Sequence, residues 1–158
     1  MTRTVDERIM HAPVALCFAV AADVERWPAI LPHYRHVHFR GEHTAGTGRV
    51  EMSAWRAFLG PIRYPTRWVS DMRVVQAEPA IYFEHVEGIT RGMHVKWAFQ
   101  LHGIGSTRVR ITHEWSGPPW PLVGASAWRY VIGPHFVSFI AARTLAGIAA
   151  EAERLQRR

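Results

Sequence analysis

Apolar and polar residues alternate with a period of two along most of this chain and switch to a helical period near its end. Between Pro79 and Trp115 the apolar rows are Ile81, Phe83 and His85; then Met93, Val95, Trp97 and Phe99; then Val109, Ile111, His113 and Trp115. Charged or polar residues such as Arg108, Arg110 and Glu114 oppose them, which predicts strands with one face buried. Turns fall at Glu78 with Pro79, at Gly88 to Gly92 and at Gly103 to Ser106. Upstream, Val5 to Met10 reads as a strand, and Pro13 suits the first turn of a helix running to about Ala22. Asp23 is placed to cap a second short helix, which should stop near Trp27 because Pro28 disfavours helical geometry in the residue before it. Val37 and Phe39 mark the next strand, and Gly46 and Gly48 a hairpin turn. Val50, Met52 and Ala54 then alternate with Glu51, Ser53 and Trp55. Gly60, Pro61 and Pro65 read as a connection to a strand with Trp68, Ser70, Met72 and Val74 on one face and Arg67, Asp71 and Arg73 on the other. From Pro134 onward, Val137, Ile140, Ala141, Thr144, Leu145, Ile148, Ala149, Ala152 and Leu155 recur at helical spacing.

An order of strand, two short helices, six strands and one long helix predicts an α+β layer. A curved antiparallel sheet of about seven strands would wrap around the last helix, with a pocket between them. Histidine within apolar rows points the same way. A buried imidazole needs a hydrogen-bond partner or water, so such rows suit a cavity better than a close-packed interior.

Composition narrows the picture. A chain of 158 residues fits one domain over 1–158 that buries roughly 70% of its unfolded surface. Cys17, the sole cysteine, sits among Val14, Leu16, Phe18 and Val20 and reads as a small buried residue, so a reducing cytoplasm is the default location. No basic region leads into an apolar stretch and cleavage site at the N-terminus, which argues against secretion. The apolar run from Val131 to Ala150 contains Pro134, His135 and Arg143 and does not suit integral membrane association. The net charge of +6 comes from scattered arginines, with Lys96 the only lysine and no nucleic-acid-binding pattern. His36 and His38 share a strand face near His33, but no cysteine or paired carboxylate completes a set in sequence, so no metal is expected. There is no nucleophile elbow, phosphate-binding glycine loop or dinucleotide fingerprint.

The segment Asp23-Val24-Glu25-Arg26-Trp27-Pro28-Ala29-Ile30-Leu31-Pro32-His33-Tyr34 carries a resemblance, supported by Trp68-Val69-Ser70, Phe83-Glu84-His85-Val86-Glu87-Gly88, Val95-Lys96-Trp97 and Thr107-Arg108-Val109. Over nearly its whole length the chain resembles the START-like helix-grip superfamily, and within it the bacterial polyketide cyclase/dehydrase family, including aromatase/cyclases. The resemblance implies a pocket for a poly-β-keto chain delivered by an acidic acyl carrier protein, shaped by Trp, Tyr and Arg side chains. Trp27, Tyr34, Trp68 and Trp97 are similar to such positions. The chain departs from that subgroup where an inward Arg follows the Trp68 motif: parity here puts Met72 inward and Arg73 outward. Arg56, which shares the inward parity of Val50, Met52 and Ala54, is the candidate substitute at the pocket mouth.

Aldol cyclisation with dehydration needs a base for a proton between two carbonyls and an acid for the departing water. An imidazole titrating near the working pH suits both roles, which nominates His85 and His113, with Tyr34 donating to a developing enolate. Trp27, Trp68, Phe83 and Trp97 would form flat walls, joined by Ser70, Met72, Met93 and Ile111. His135 faces either the pocket or solvent. No cofactor is expected. Arg26, Arg35, Arg63 and Arg91 would form a positive rim for the carrier protein. The same walls would equally suit a non-catalytic carrier of a lipid, sterol or quinone, and whether the chain acts as monomer or homodimer stays open.

Overall fold

Strand-forming alternation and a meander of short turns generate one antiparallel sheet in the computed structural model, which describes residues 2–57, 62–117 and 137–158, apart from the side chains of Thr2, Arg56, Ala57 and Tyr64. Its strands are β1 (Thr2–Met10), β2 (Tyr34–Phe39), β3 (Gly48–Ala57), β4 (Arg63–Val75), β5 (Ala80–Glu87), β6 (His94–Leu101) and β7 (Thr107–Trp115). They pair in the order β1-β7-β6-β5-β4-β3-β2, which leaves β1 and β2 as the two edges. Helix α1 (Val14–Ala22), a 3-10 turn (Val24–Arg26) and α2 (Trp27–Ile30) join β1 to β2. Helix α3 (Ser138–Gln156) packs on β1 and α1 and buries Ala141, Thr144, Leu145, Ile148 and Ala152 in the sheet's grip. No described helix is long and apolar enough to cross a membrane.

Two expected boundaries move, each for a reason in proline chemistry. Trp27 begins α2 instead of ending a helix, with Pro28 in the first turn. There the missing N–H would have had no intrahelical partner anyway. The turn before it forms without a side-chain cap from Asp23. Pro65 lies inside β4, opposite Trp55 of β3. The Trp55 amide donates to His33 O at 2.7 Å on its β2 side, so the Trp55–Pro65 pair exchanges no hydrogen bonds. The ring nitrogen of Pro65 therefore faces the side where β4 has no neighbour, because pairing with β5 starts only at Val69.

Register explains the inner face. Thr4, His113, Val95, Phe83 and Met72 follow one another across β1, β7, β6, β5 and β4, while His85 pairs with Ser70 in the adjoining row. An extra residue, Val86, bulges β5 between the Val69–Glu87 and Ser70–His85 pairs. Such a bulge bends the strand and re-aims the side chain beside it, here His85. Arg35 is the corresponding extra residue in β2, so Tyr34 and Val37 are both buried although three residues apart. The close seat of α3 depends on Gly147, where an added Cβ would fall 2.1 Å from Leu31 Cδ2.

Candidate functional site

Between the sheet and α3 lies a cavity lined by Trp27, Tyr34, Met52, Trp68, Phe83, His85, Thr90, Met93, Val95, Trp97, Ile111, His113, Val137, Ile140, Ala141 and Thr144. It encloses about 80 Å³, within about 590 Å³ of interatomic space that includes its solvent-open mouth. The enclosed part holds only a handful of water-sized groups, so a larger ligand also occupies the mouth.

Aromatic rings build the wall as one contacting set. Trp27 meets Tyr34 edge-on at 5.1 Å, Trp97 at 5.7 Å and Phe83 at 6.5 Å between centroids. Tyr34 continues to Trp68 at 6.1 Å, and Trp68 lies nearly parallel to the His85 ring at 6.0 Å. Flat rings in mutual contact fix each other's rotamers, so the wall is preformed.

The polar groups arrive as histidine–threonine pairs. The His85 Nδ1 lies 2.7 Å from Thr90 Oγ1, which leaves Nε2 for a ligand. Thr90 sits in the β5–β6 turn, whose shape is set by backbone bonds from Gly92 N to His85 O and from Met93 N to Thr90 O. Gly88 lets this turn tuck under Trp68. It has a φ of 104°, and an added Cβ would fall 2.8 Å from the Arg67 carbonyl and 3.1 Å from Trp68 Cα. On the opposite wall, Thr144 Oγ1 donates to Ile140 O at 2.7 Å while meeting His33 Nε2 at 3.0 Å. With the hydroxyl proton committed to a carbonyl, His33 must be the donor to Thr144.

His113 differs: its Nδ1 is buried and has no hydrogen-bond partner among the described residues. An unfilled lone pair is tolerated better than an orphaned N–H, so the ring proton belongs on Nε2. The hydroxyl of Thr4, its neighbour across the strands, is also buried without a partner among the described residues. So is the indole N–H of Trp27, a donor on the cavity wall. The site thus holds hydrogen-bonding capacity that no described residue uses.

Burial controls the charges. Desolvation lowers both imidazoles, to about 3 for His85 and about 3 for His113, and the nearby His113 and His94 push His85 further the same way. Both keep part of their surface accessible, yet they lie deep in the fold, and depth governs desolvation. His33 falls to about 4, from burial first and then the positive charge of Arg143. The Tyr34 phenol is pushed up by burial, an effect its Thr144 neighbour only partly offsets. All four groups are neutral at pH 7. This corrects the expectation of imidazoles titrating near the working pH.

The cavity thus brings together Tyr34, His85, His113, Trp27, Trp68, Phe83, Met93, Trp97 and Ile111 from the nominated set. His85 and His113 share its wall, but β6 stands between their strands. Ser70 and Met72 are buried on the same face and do not line the cavity; they are the β4 register partners of His85 and Phe83, which do. Parity holds in β4, since Arg73 is exposed and lies over the Tyr82 ring. His135 and the side chain of Arg56 lie outside what the structure describes. Thr90 and Thr144 were not anticipated as site residues. Helical spacing places Thr144 on the buried face of α3, whereas the turn residue Thr90 gives no signal before the β5–β6 turn is built.

Comparisons with known proteins agree with this architecture. No curated protein matches the chain. The family described as polyketide cyclase / dehydrase and lipid transport matches residues 10–131. Among solved structures the chain is similar to the Zhui aromatase/cyclase from Streptomyces sp. R1128, with a TM-score of 0.79 and 20% identity over 97% of this chain and 94% of that one. It is similar to a START superfamily protein from Mycobacterium smegmatis, with a TM-score of 0.73 and 12% identity over 97% and 98% of the two chains. A norcoclaurine synthase point mutant from Thalictrum flavum, solved with a transition-state analogue, gives a TM-score of 0.72 and 12% identity over 97% and 94%. At these identities the likeness is one of fold, the helix-grip arrangement derived above.

Proposed function

The chain belongs to the polyketide cyclase / dehydrase and lipid transport family, and from its cavity we propose that it binds a hydrophobic chain bearing several carbonyls and promotes aldol cyclisation and dehydration. The observation that carries this reading is the pair of neutral imidazoles on one aromatic wall. His85 Nε2 takes a proton from the carbon between two carbonyls. The enolate oxygen accepts from the Nε2–H of His113 and the Tyr34 hydroxyl, and the enolate carbon bonds to a second carbonyl of the same chain. That carbonyl oxygen takes the proton from the His85 imidazolium to become a hydroxyl, which returns His85 to its neutral form. Loss of a further α-proton, with proton delivery to the departing hydroxyl, releases one water. Desolvation opposes a charged imidazole, but an enolate formed beside it favours the imidazolium, so the base is strengthened only as the reaction proceeds. The aromatic walls limit how the chain folds, and so which carbons meet.

In this proposal Arg26, Arg35, Arg63 and Arg91, all exposed, meet an acidic carrier protein that presents the chain. Their replacement by Glu slows turnover of carrier-linked substrate while sparing a small soluble mimic. Equal loss on both substrates refutes the docking role.

A second reading, transport of a lipid, sterol or quinone without chemistry, is favoured by one observation: imidazoles held near 3 are weak bases until an anion forms. The two readings separate in one experiment. Freshly purified protein is analysed by native mass spectrometry for a released small molecule, then incubated with a poly-β-keto thioester mimic. Catalysis yields a cyclised, dehydrated product whose rate falls on the order of 100-fold in His85→Ala, with mimic binding retained. A co-purifying lipid that exchanges unchanged, with no conversion of the mimic, overturns catalysis in favour of transport.

A further inference from the structure

His36 and His38 lie on the convex face of β2, opposite the buried Val37 and away from the cavity. No cysteine or paired carboxylate completes a set with them in sequence. The hairpin supplies a carboxylate, because His38 pairs across the strands with Glu51 of β3, and His36 lies one step further along. The two imidazoles stack at 5.4 Å between centroids, and both Nε2 atoms face the same carboxylate oxygen, Glu51 Oε2, at 3.2 and 3.6 Å. One ligand atom from each of the three residues falls within 4.8 Å of the others.

The neighbouring cations divide the carboxylate in two. Arg40 Nη2 at 2.6 Å and Arg67 Nη2 at 2.7 Å both take Oε1, leaving Oε2 to the histidines. Glu87 in turn pairs with both arginines, which offsets their charge. Guanidiniums on the far oxygen fix the orientation of a ligating carboxylate as an outer shell does in metal sites. Two imidazoles and one carboxylate suit a borderline cation of the zinc class, whereas calcium and magnesium require all-oxygen sets.

We propose that His36, His38 and Glu51 bind one zinc-class divalent cation on the outer face of the sheet, clipping edge strand β2 to β3. The ion replaces the imidazole–carboxylate hydrogen bonds, each ring coordinating through a bare Nε2 with its proton on Nδ1. Three protein ligands leave a position for water.

The test is calorimetric titration of the chelator-stripped full chain with zinc chloride, paired with thermal unfolding. One ion binds per chain and raises the unfolding midpoint. Affinity falls on the order of tenfold or more in half-buried His36→Ala and in exposed His38→Ala, where the fold is checked by circular dichroism. His102→Ala, on an exposed turn elsewhere, changes nothing. Absence of one-to-one binding, or binding that survives in the double variant His36→Ala/His38→Ala, overturns the site.

Discussion

On the concave face of the sheet, His85 and His113 stand among Trp68, Phe83, Met93 and Val95; on the convex face of the same sheet, His36 and His38 stand among Glu51, Arg40, Arg67 and Glu87. Inside, burial holds each imidazole neutral, and His85 is partnered by a threonine hydroxyl rather than by a charge. Outside, charges meet charges in solvent: Arg49 binds Asp71 through two nitrogens, and Glu7 bridges Arg108 and Arg110. Strand parity, adjusted by the bulges at Arg35 and Val86, decides which face a histidine joins. The lesson is that residue type nominates a site, and the local dielectric determines what the residue does there.

The comparison can be broken most forcefully at Trp27, which touches Tyr34, Phe83 and Trp97 at the centre of the aromatic wall. Trp27→Ala should cost about 3–5 kcal/mol in denaturant unfolding, as cavity formation in a packed core does. A loss below about 1 kcal/mol would mean that the wall is not preformed.

Acid tells the two faces apart. His33, His85 and His113 have folded pKa values below the ordinary 6.5, so the unfolded chain binds more protons between 6.5 and about 3 or 4. Stability is therefore fully present above about pH 6.5 and falls as the pH drops through that window, by up to ~1.4 kcal/mol per pH unit for each group. Glu51, lowered to about 2 first by the Arg67 hydrogen bond, acts in a more acidic window: its contribution is present above 4.5 and lost toward 2. His113→Gln should flatten the stability profile between pH 6.5 and 4, while Glu51→Gln should change the slope only below about pH 5.

Thr90 sharpens the inner side. Thr90→Val removes the partner of His85 Nδ1 while keeping shape, and should cost about 1–3 kcal/mol. It should also weaken turnover of the mimic, with Thr90→Ser restoring both. Full activity in the valine variant would remove Thr90 from the site. The smallest effect belongs to the outer face: Arg49→Ala should shift the unfolding midpoint barely at all, and any shift should vanish in high salt, since both partners are about half exposed.

Much of this was readable in advance, and the exceptions share a cause. Alternation gave the inward rows, including Met72 against Arg73, because a period of two is a local property of the chain. Helical spacing put Thr144 on the buried face of α3 for the same reason. What resisted reading depends on residues brought together from afar or on irregular backbone. The bulges at Arg35 and Val86 shift parity beside Tyr34 and His85. Thr90 acquires its role only when the Gly88 turn folds back on Trp68. Glu51 joins His36 and His38 only across a strand pair. Nor could the sequence foretell that both cavity imidazoles lose their ordinary pKa, since desolvation follows from depth.

The central claim, that the cavity holds two neutral imidazoles with Nε2 turned to the ligand, is tested most directly by nuclear magnetic resonance of the ring nitrogens of His85 and His113, titrated with pH in the unliganded protein. The account predicts that both rings stay neutral down to about pH 4, with the His113 proton on Nε2. Titration of either ring near 6.5, or a proton on Nδ1 of His113, would contradict it.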